Sequence, residues 1–129
     1  MHEDRVNLLV SEWLSGNGYK IIRCAHSTQQ GPDVAATGPN GALLYVESKG
    51  ATNEEGREFT ANAKCQYVAS AFFNQVTRRE REPQSEVGMA FPDDDSHHGY
   101  RFRMEPLRAF CDRNRLRIFW VKEDSVSEW

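Results

Sequence analysis

The feature that most constrains the fold is a tight turn, Gly38-Pro39-Asn40-Gly41, between two short and mainly apolar segments. Glycine, proline and asparagine favour the backbone conformations that reverse a chain. Residues 32–37 before the turn and residues 42–49 after it have the length of strands. The turn therefore predicts a β-hairpin or a β-meander in the core.

Apolar side chains at helical spacing precede and follow this hairpin. Five of them recur every three or four residues and predict an amphipathic first helix, ended by the Gly-Asn-Gly at 16–18: Val6, Leu9, Val10, Trp13 and Leu14. The other predicted elements are a strand at 19–24, a helix at 59–76, a surface loop at 78–86, a strand at 87–92, a helix at 105–114 with Pro106 in its first turn, and a strand at 116–122.

This order of elements predicts an α/β fold, with one central mixed sheet flanked by helices in the order αβββαβαβ. The two strand-helix-strand crossovers favour parallel neighbours in the late half of the sheet. The chain of 129 residues, 39% of them hydrophobic, suits a single domain spanning residues 1–129. Six aromatic residues at core spacings are expected to be buried: Trp13, Phe72, Phe73, Phe110, Phe119 and Trp120.

Composition limits the compartments in which the protein is expected and the partners that it is expected to bind. No apolar run approaches the roughly 18 residues of a membrane span, and the first residues lack the order of a signal peptide, so a cytoplasmic protein with no membrane partner is expected. The three cysteines are widely spaced, which predicts reduced, mostly buried thiols. The polar residues 93–98, including Asp95, His97 and His98, are predicted to form a loop in preference to a metal site.

Charge is distributed unevenly along the chain. The net charge of -3 argues against indiscriminate binding to a phosphate backbone. Six arginines between positions 101 and 117 nevertheless leave a local anion-binding face open. Arg101 and Arg103 alternate with Tyr100 and Phe102, and this interleaved set is predicted to contact nucleic acid.

The strand at 42–49 carries the residues with chemistry. Side chains alternate along a strand, so Glu47 and Lys49 project to one face near its C-terminal end. Asp33 begins the preceding strand, and the short turn can bring it opposite Glu47. Two carboxylates could hold Mg²⁺ against a scissile phosphate, and the lysine could orient the attacking water.

The segments Gly31-Pro32-Asp33 and Leu43-Leu44-Tyr45-Val46-Glu47-Ser48-Lys49 resemble the PD...(D/E)xK signature of restriction-endonuclease-like nucleases. The resemblance spans most of the chain, because the order of elements also fits. It implies cleavage of DNA, or sometimes of RNA, that depends on Mg²⁺ with Mn²⁺ as an alternative ion.

The resemblance also suggests two further site residues. Resolvase-like and methylation-dependent restriction branches of this superfamily often carry a glutamine on the crossover helix, and Gln66 stands there in this sequence. Those branches commonly place a glutamate on the first helix. Alignment on the Gly18-Tyr19 turn puts Asn7 near that position, with Glu3 and Glu12 as alternatives.

Three functional hypotheses follow. The first is a metal-dependent nuclease acting on DNA, with Asp33 and Glu47 as metal ligands; its small surface implies a homodimer, recognition of DNA structure or borrowed specificity, since specific interfaces bury on the order of 1,000 Å². The second is a catalytically inactive member of the fold that serves as a nucleic-acid-binding or protein-assembly module. The third is an unrelated α/β domain whose Glu47 and Lys49 form a solvated ion pair.

Overall fold

The computed structural model describes residues 1–26, 29–94 and 97–129. In chain order its elements are α1 (Glu3–Gly16), β1 (Lys20–Cys24), β2 (Val34–Thr37), β3 (Leu43–Ser48), α2 (Ala61–Arg81), β4 (Glu86–Pro92), α3 (Tyr100–Met104), a single 3-10 turn (Glu105–Leu107), α4 (Arg108–Arg113), β5 (Leu116–Lys122) and β6 (Ser125–Glu128). Asp95, part of the predicted polar loop, lies outside the described residues.

One six-stranded mixed sheet organises the chain, with the strands in sequence order from β1 to β6. The strands β1, β2 and β3 form an antiparallel meander. The strands β3, β4 and β5 are parallel, because α2 and then the pair α3 and α4 cross over between them, and β6 returns antiparallel to β5. The predicted mixed sheet with a parallel late half is therefore confirmed.

The two faces of the sheet bury separate apolar cores. Helix α1 covers one face, where Val6, Val10 and Leu14 pack on Leu44 and Val46. Helices α2, α3 and α4 cover the late half of the other face. The core on that side includes Val68, Ala71, Met89, Phe91, Tyr100, Ile118 and Trp120. Among the described residues, only helix α1 packs closely on β1 and β2, so β3 lies at the border of a covered and an open part of the second face.

Helix boundaries differ from prediction in two places. Helix α2 continues to Arg81, where a loop was predicted, because Arg79 donates to the carbonyls of Asn114 and Arg115 and its neighbours place positive charge at the helix C-terminus. The predicted helix at 105–114 begins earlier, at Tyr100, and is divided by the 3-10 turn, since Pro106 has no N–H for an α-helical bond.

Three other predictions are wrong in part. Strand β6 was missed, because its polar sequence Ser-Val-Ser-Glu lacks apolar alternation and is mostly exposed. Phe73 and Phe110 are exposed by 70% and 43%. Adjacent residues point about 100° apart on a helix, so Phe72 and Phe73 cannot both face the sheet. Cys65 is exposed, although all three cysteines are free as expected.

None of the helices in the described part of the chain is long and apolar enough to cross a membrane.

Candidate active site

Strand β3 carries its polar candidate residues on the face that packs against α2. Its side chains alternate between half-buried and buried positions, as the sequence predicted. Leu44 and Val46 enter the core beneath α1, whereas Tyr45 and Glu47 project toward α2. The Lys49 N–H donates to Ala90 O at 3.0 Å, so the backbone of β3 stays bound to β4 beyond its last residue. Glu47 therefore stands on a rigid central strand.

The hairpin register places Asp33 beside Glu47. Val34 pairs with Val46, so the residue before β2 falls opposite the residue after Val46. The Ser48 N–H donates to Asp33 Oδ2 at 2.8 Å, and the Ala25 N–H donates to the Asp33 carbonyl at 2.7 Å. The first contact holds the Asp33 carboxylate against the C-terminal end of β3, and the second ties the Asp33 backbone to the end of β1. The expected proximity of the two carboxylates follows from this register.

Lys49 and Glu47 form a shielded ion pair. Lys49 Nζ lies 3.0 Å from Glu47 Oε1, and the two side chains are only 15% and 13% exposed. Asn74 on α2 donates from Nδ2 to the same Oε1 at 2.8 Å. No donor among the described residues reaches Oε2, which leaves that oxygen able to accept a further ligand. A solvated surface pair, the third hypothesis, does not fit this burial.

Of the three first-helix candidates, the structure brings Glu3 to this cluster. The N-terminus of α1 packs against Gly50, where an added Cβ would lie 2.5 Å from Glu3 N. The nearby Gly50 backbone N–H favours the ionised Glu3 carboxylate and so opposes the rise in the pKa of Glu3. Asn7 is instead buried and donates to Ala25 O at 3.1 Å, while Glu12 is exposed on the outer side of α1.

Burial and mutual repulsion shift the titration of these carboxyls. Burial, followed by the charge of Glu47, raises the pKa of Asp33 to about 7, although the Ser48 N–H opposes the shift. Burial also raises the pKa of Glu3, against the opposing charge of Lys49. Burial lowers the pKa of Lys49, but Glu47 and the other two carboxylates outweigh it and raise that pKa overall. Three carboxyls thus share one ammonium.

The donor set is compatible with a hard divalent cation. It supplies carboxylate oxygens, which Mg²⁺ prefers, and an added positive charge would relieve the repulsion that raises the pKa of Asp33. No group of three or more His, Cys, Asp or Glu side chains within residues 1–26, 29–94 and 97–129 is arranged to hold a metal ion. Asp33 and Glu47 would supply two ligands, which suffices for Mg²⁺ because it usually retains several waters.

The remaining predicted site residues lie elsewhere. Gln66 is exposed on α2, and no hydrogen bond or ion pair in the described part of the chain joins it to the cluster. The α2 residue that contacts Glu47 is Asn74, two turns further along. The sequence feature that could have indicated Asn74 is the polar pair Asn74-Gln75 within the apolar run 68–76. Gln75 is buried and donates to Tyr45 O and Gly88 O.

The interleaved aromatic and basic set is not one surface. Because residues 100–104 form a helix, Tyr100 turns inward, where it is fully buried and donates to Gly50 O at 2.7 Å. Arg101 lies over the ring of Trp120 and forms two bonds with Asp93, at 2.7 and 3.0 Å. Arg103 is half-buried. Residues 100–103 therefore do not form one exposed surface, and the contact of Arg101 and Arg103 with nucleic acid stays a prediction.

Comparison with known proteins identifies the fold. No protein-family model and no curated protein matches the chain. Solved structures do match it, among them two that are each 18% identical to this chain. One is an XisH family protein from Nostoc punctiforme PCC 73102, with a TM-score of 0.60 over 97% of this chain and 98% of that chain. The other is an fdxN element excision controlling factor protein from Anabaena variabilis, with a TM-score of 0.64 over 98% of both chains.

These likenesses span nearly the whole length of each protein, and at this identity they show the fold. What the neighbours share with this chain is its fold, one α/β domain in which a six-stranded mixed sheet is flanked by helices. The predicted single-domain α/β fold is thereby confirmed. Membership of the chain in a particular nuclease family stays a prediction.

Proposed function

We propose that this protein is a metal-dependent nuclease that hydrolyses phosphodiester bonds of DNA. The observation that carries the proposal is the placement of Asp33 against the end of β3, beside the shielded Glu47–Lys49 pair, with the pKa of Asp33 raised to about 7 by burial and by Glu47. A carboxyl that served only the stability of the fold would be expected to pair with a cation that offsets its charge. Clustered carboxyls with perturbed pKa values are typical of functional sites.

Each residue has a distinct role in this proposal. Asp33 and Glu47 would hold Mg²⁺, and Glu3 would add negative charge at the edge of the site. The ammonium of Lys49 lies 3.0 Å from Glu47 Oε1, where it can also orient a water molecule toward a phosphate. Asn74 holds the Glu47 carboxylate in place from α2. The bound ion would supply Lewis-acid stabilisation of the charge that develops on the phosphate.

The choice of DNA rests on the structural neighbours. One of them is described as a factor that controls the excision of an element, which is a process on DNA. Transferred to this chain, that description favours DNA over RNA as the substrate. A homodimer remains part of the proposal, because one small chain offers little surface for recognising a specific sequence.

The alternative, a catalytically inactive module of the same fold, has one observation in its favour. Glu47 Oε1 already accepts bonds from Lys49 and Asn74, and no third acidic or histidine ligand completes a metal site among the described residues. The alternative predicts that the purified protein binds nucleic acid or another protein without cleaving either.

Cleavage of single-stranded, nicked and branched DNA with Mg²⁺ or Mn²⁺ tests the proposal. The wild type should give products that depend on the metal, and Asp33→Asn and Lys49→Ala should each lose at least roughly a hundredfold in rate. Asp112→Asn and Arg113→Ala, on the exposed surface of α4, are matched controls that should cleave normally. Absence of products from every substrate, together with absence of metal binding by calorimetry, would leave the inactive module as the function.

A further inference from the structure

A groove runs from Glu47 along the C-terminal half of α2. Its volume is about 300 Å³, and its lining includes Phe73, Asn74, Arg78 and Arg81. Residues four apart on a helix lie on one side, so this part of α2 presents two parallel rows. The inner row is Asn74, Arg78 and Glu82; the outer row is Phe73, Thr77 and Arg81.

The inner row is fixed to the sheet. Asn74 donates to Glu47, and the Arg78 guanidinium lies over the Tyr45 ring, 4.6 Å from its centroid. The Tyr45 hydroxyl donates to Glu82 Oε1 at 3.1 Å. Arg78 is also 3.6 Å from Glu82 and remains 30% exposed. This row therefore forms a rigid wall that connects directly with the candidate active site.

The outer row is free to meet a ligand. Phe73 is 70% exposed, the largest exposure among the large hydrophobic residues of the described chain. Arg81 is exposed, and no ion pair within the described residues involves it. Eight residues separate the two, about 12 Å along a helix. An aromatic face and an unpaired cation thus flank a groove that ends at a carboxylate of the proposed metal site.

We infer that this groove binds one unpaired strand of nucleic acid, with a base stacked on Phe73 and the backbone contacting Arg81 and Arg78. The inference rests on the proposed function for the position of the scissile phosphate near Glu47. A single strand fits better than a duplex, because bases in a duplex are stacked on each other and offer no free face to a protruding phenylalanine. The net charge of -3 also disfavours a broad duplex-binding surface.

A protein partner is the competing occupant. Val76, Phe102 and Phe110 are also exposed, by 55%, 55% and 43%, so a second copy of the chain could cover Phe73. The arginines favour the strand, because Arg78 and Arg81 lie in the groove itself, whereas Val76, Phe102 and Phe110 are not among its lining residues.

Fluorescence anisotropy with a short labelled single strand, in EDTA to prevent cleavage, tests the inference. Phe73→Ala should weaken binding about tenfold, because stacking of one base is lost. Arg81→Gln should reduce the slope of log affinity against log salt by about 0.7. Phe110→Ala and Arg113→Gln, outside the groove, are the matched controls and should bind as the wild type does.

The outcomes separate this inference from the proposed function. Absence of strand binding by the wild type, or equal losses in the groove and control variants, would overturn the groove assignment even if the protein cleaves DNA. Binding that depends on Phe73 and Arg81 without any cleavage would support the groove and contradict the nuclease. Full strand binding by Phe73→Leu, with a dimer in analytical ultracentrifugation that Phe73→Ala abolishes, would assign Phe73 to an interface between two copies.

Discussion

Asp33 directly precedes β2 and Asp93 directly follows β4, so both lie beside the C-terminal end of β3, the strand between them. Their pKa values nevertheless shift in opposite directions. Asp93 follows β4 and accepts two bonds from Arg101, which lower its pKa, and Lys122 lies 3.8 Å away. Asp33 precedes β2, and burial together with Glu47 raises its pKa. One carboxylate is neutralised by neighbouring cations, whereas the other lacks enough positive charge. Under the proposed function, this difference separates an aspartate that stabilises the fold from one that takes part in the chemistry.

The largest effect on stability is expected from substitution of Asp93, the aspartate whose charge is offset by neighbouring cations. Asp93→Asn should lower the free energy of unfolding by about 2 to 3 kcal/mol, because it replaces the shielded carboxylate that accepts two charge-assisted bonds from Arg101 by a neutral amide. Urea denaturation at neutral pH measures this, and cleavage per folded molecule should be unchanged. A stability equal to that of the wild type would remove the contrast with Asp33.

The second effect is the pH dependence that Asp33 confers. Its pKa is about 7 in the folded state against an ordinary value of 3.8, so the folded state retains a proton that the unfolded chain releases between those values. The free energy of unfolding should therefore fall as pH rises from about 4 to 7, by roughly 2 kcal/mol, half the full linkage value for such a shift. Asp33→Asn should lose this component, whereas Asp112→Asn should retain it in urea titrations across that range.

The third effect is the response to metal. Because added positive charge offsets the repulsion at Asp33, Mg²⁺ at ten times its dissociation constant should raise the free energy of unfolding by about 1.4 kcal/mol. Thermal denaturation at several Mg²⁺ concentrations measures the gain, which should be lost in Asp33→Asn and kept in Asp93→Asn. A gain of equal size in both variants would place the ion elsewhere.

The smallest effect distinguishes the contributions to stability of Arg101 and Lys122, the two cations near Asp93. Lys122 is half exposed and 3.8 Å from the carboxylate, so Lys122→Ala should cost about 0.5 kcal/mol or less. If the loss matched that of Asp93→Asn in the same urea titration, Lys122 would be the main partner of Asp93, and the role given to Arg101 would be wrong.

The sequence predicted five of the six strands and the proximity of Asp33 to Glu47 because both depend on local patterns. Alternation fixed the faces of β3, and a four-residue turn fixed the register that brings Asp33 to Glu47. Glu3 and Asn74 approach Glu47 from distant segments, so the sequence indicated Glu3 only as one of three first-helix candidates and did not single out Asn74. Phe73 was predicted to be buried because helical periodicity identifies an apolar side but not the width of the surface that covers it.

Gly50 has a consequence for how the protein tolerates mutation. Its φ is not among the positive values of the glycines, so its requirement is for space and not for a special torsion. Any side chain there would meet the backbone of Glu3 and of His2. In a saturation mutagenesis screen, position 50 should therefore reject even alanine, although the residue has no functional group to contribute. Loss of the folded protein on substitution of Gly50 would show that α1 packs tightly against the end of β3. The positions of Glu3 and Lys49 both depend on this contact.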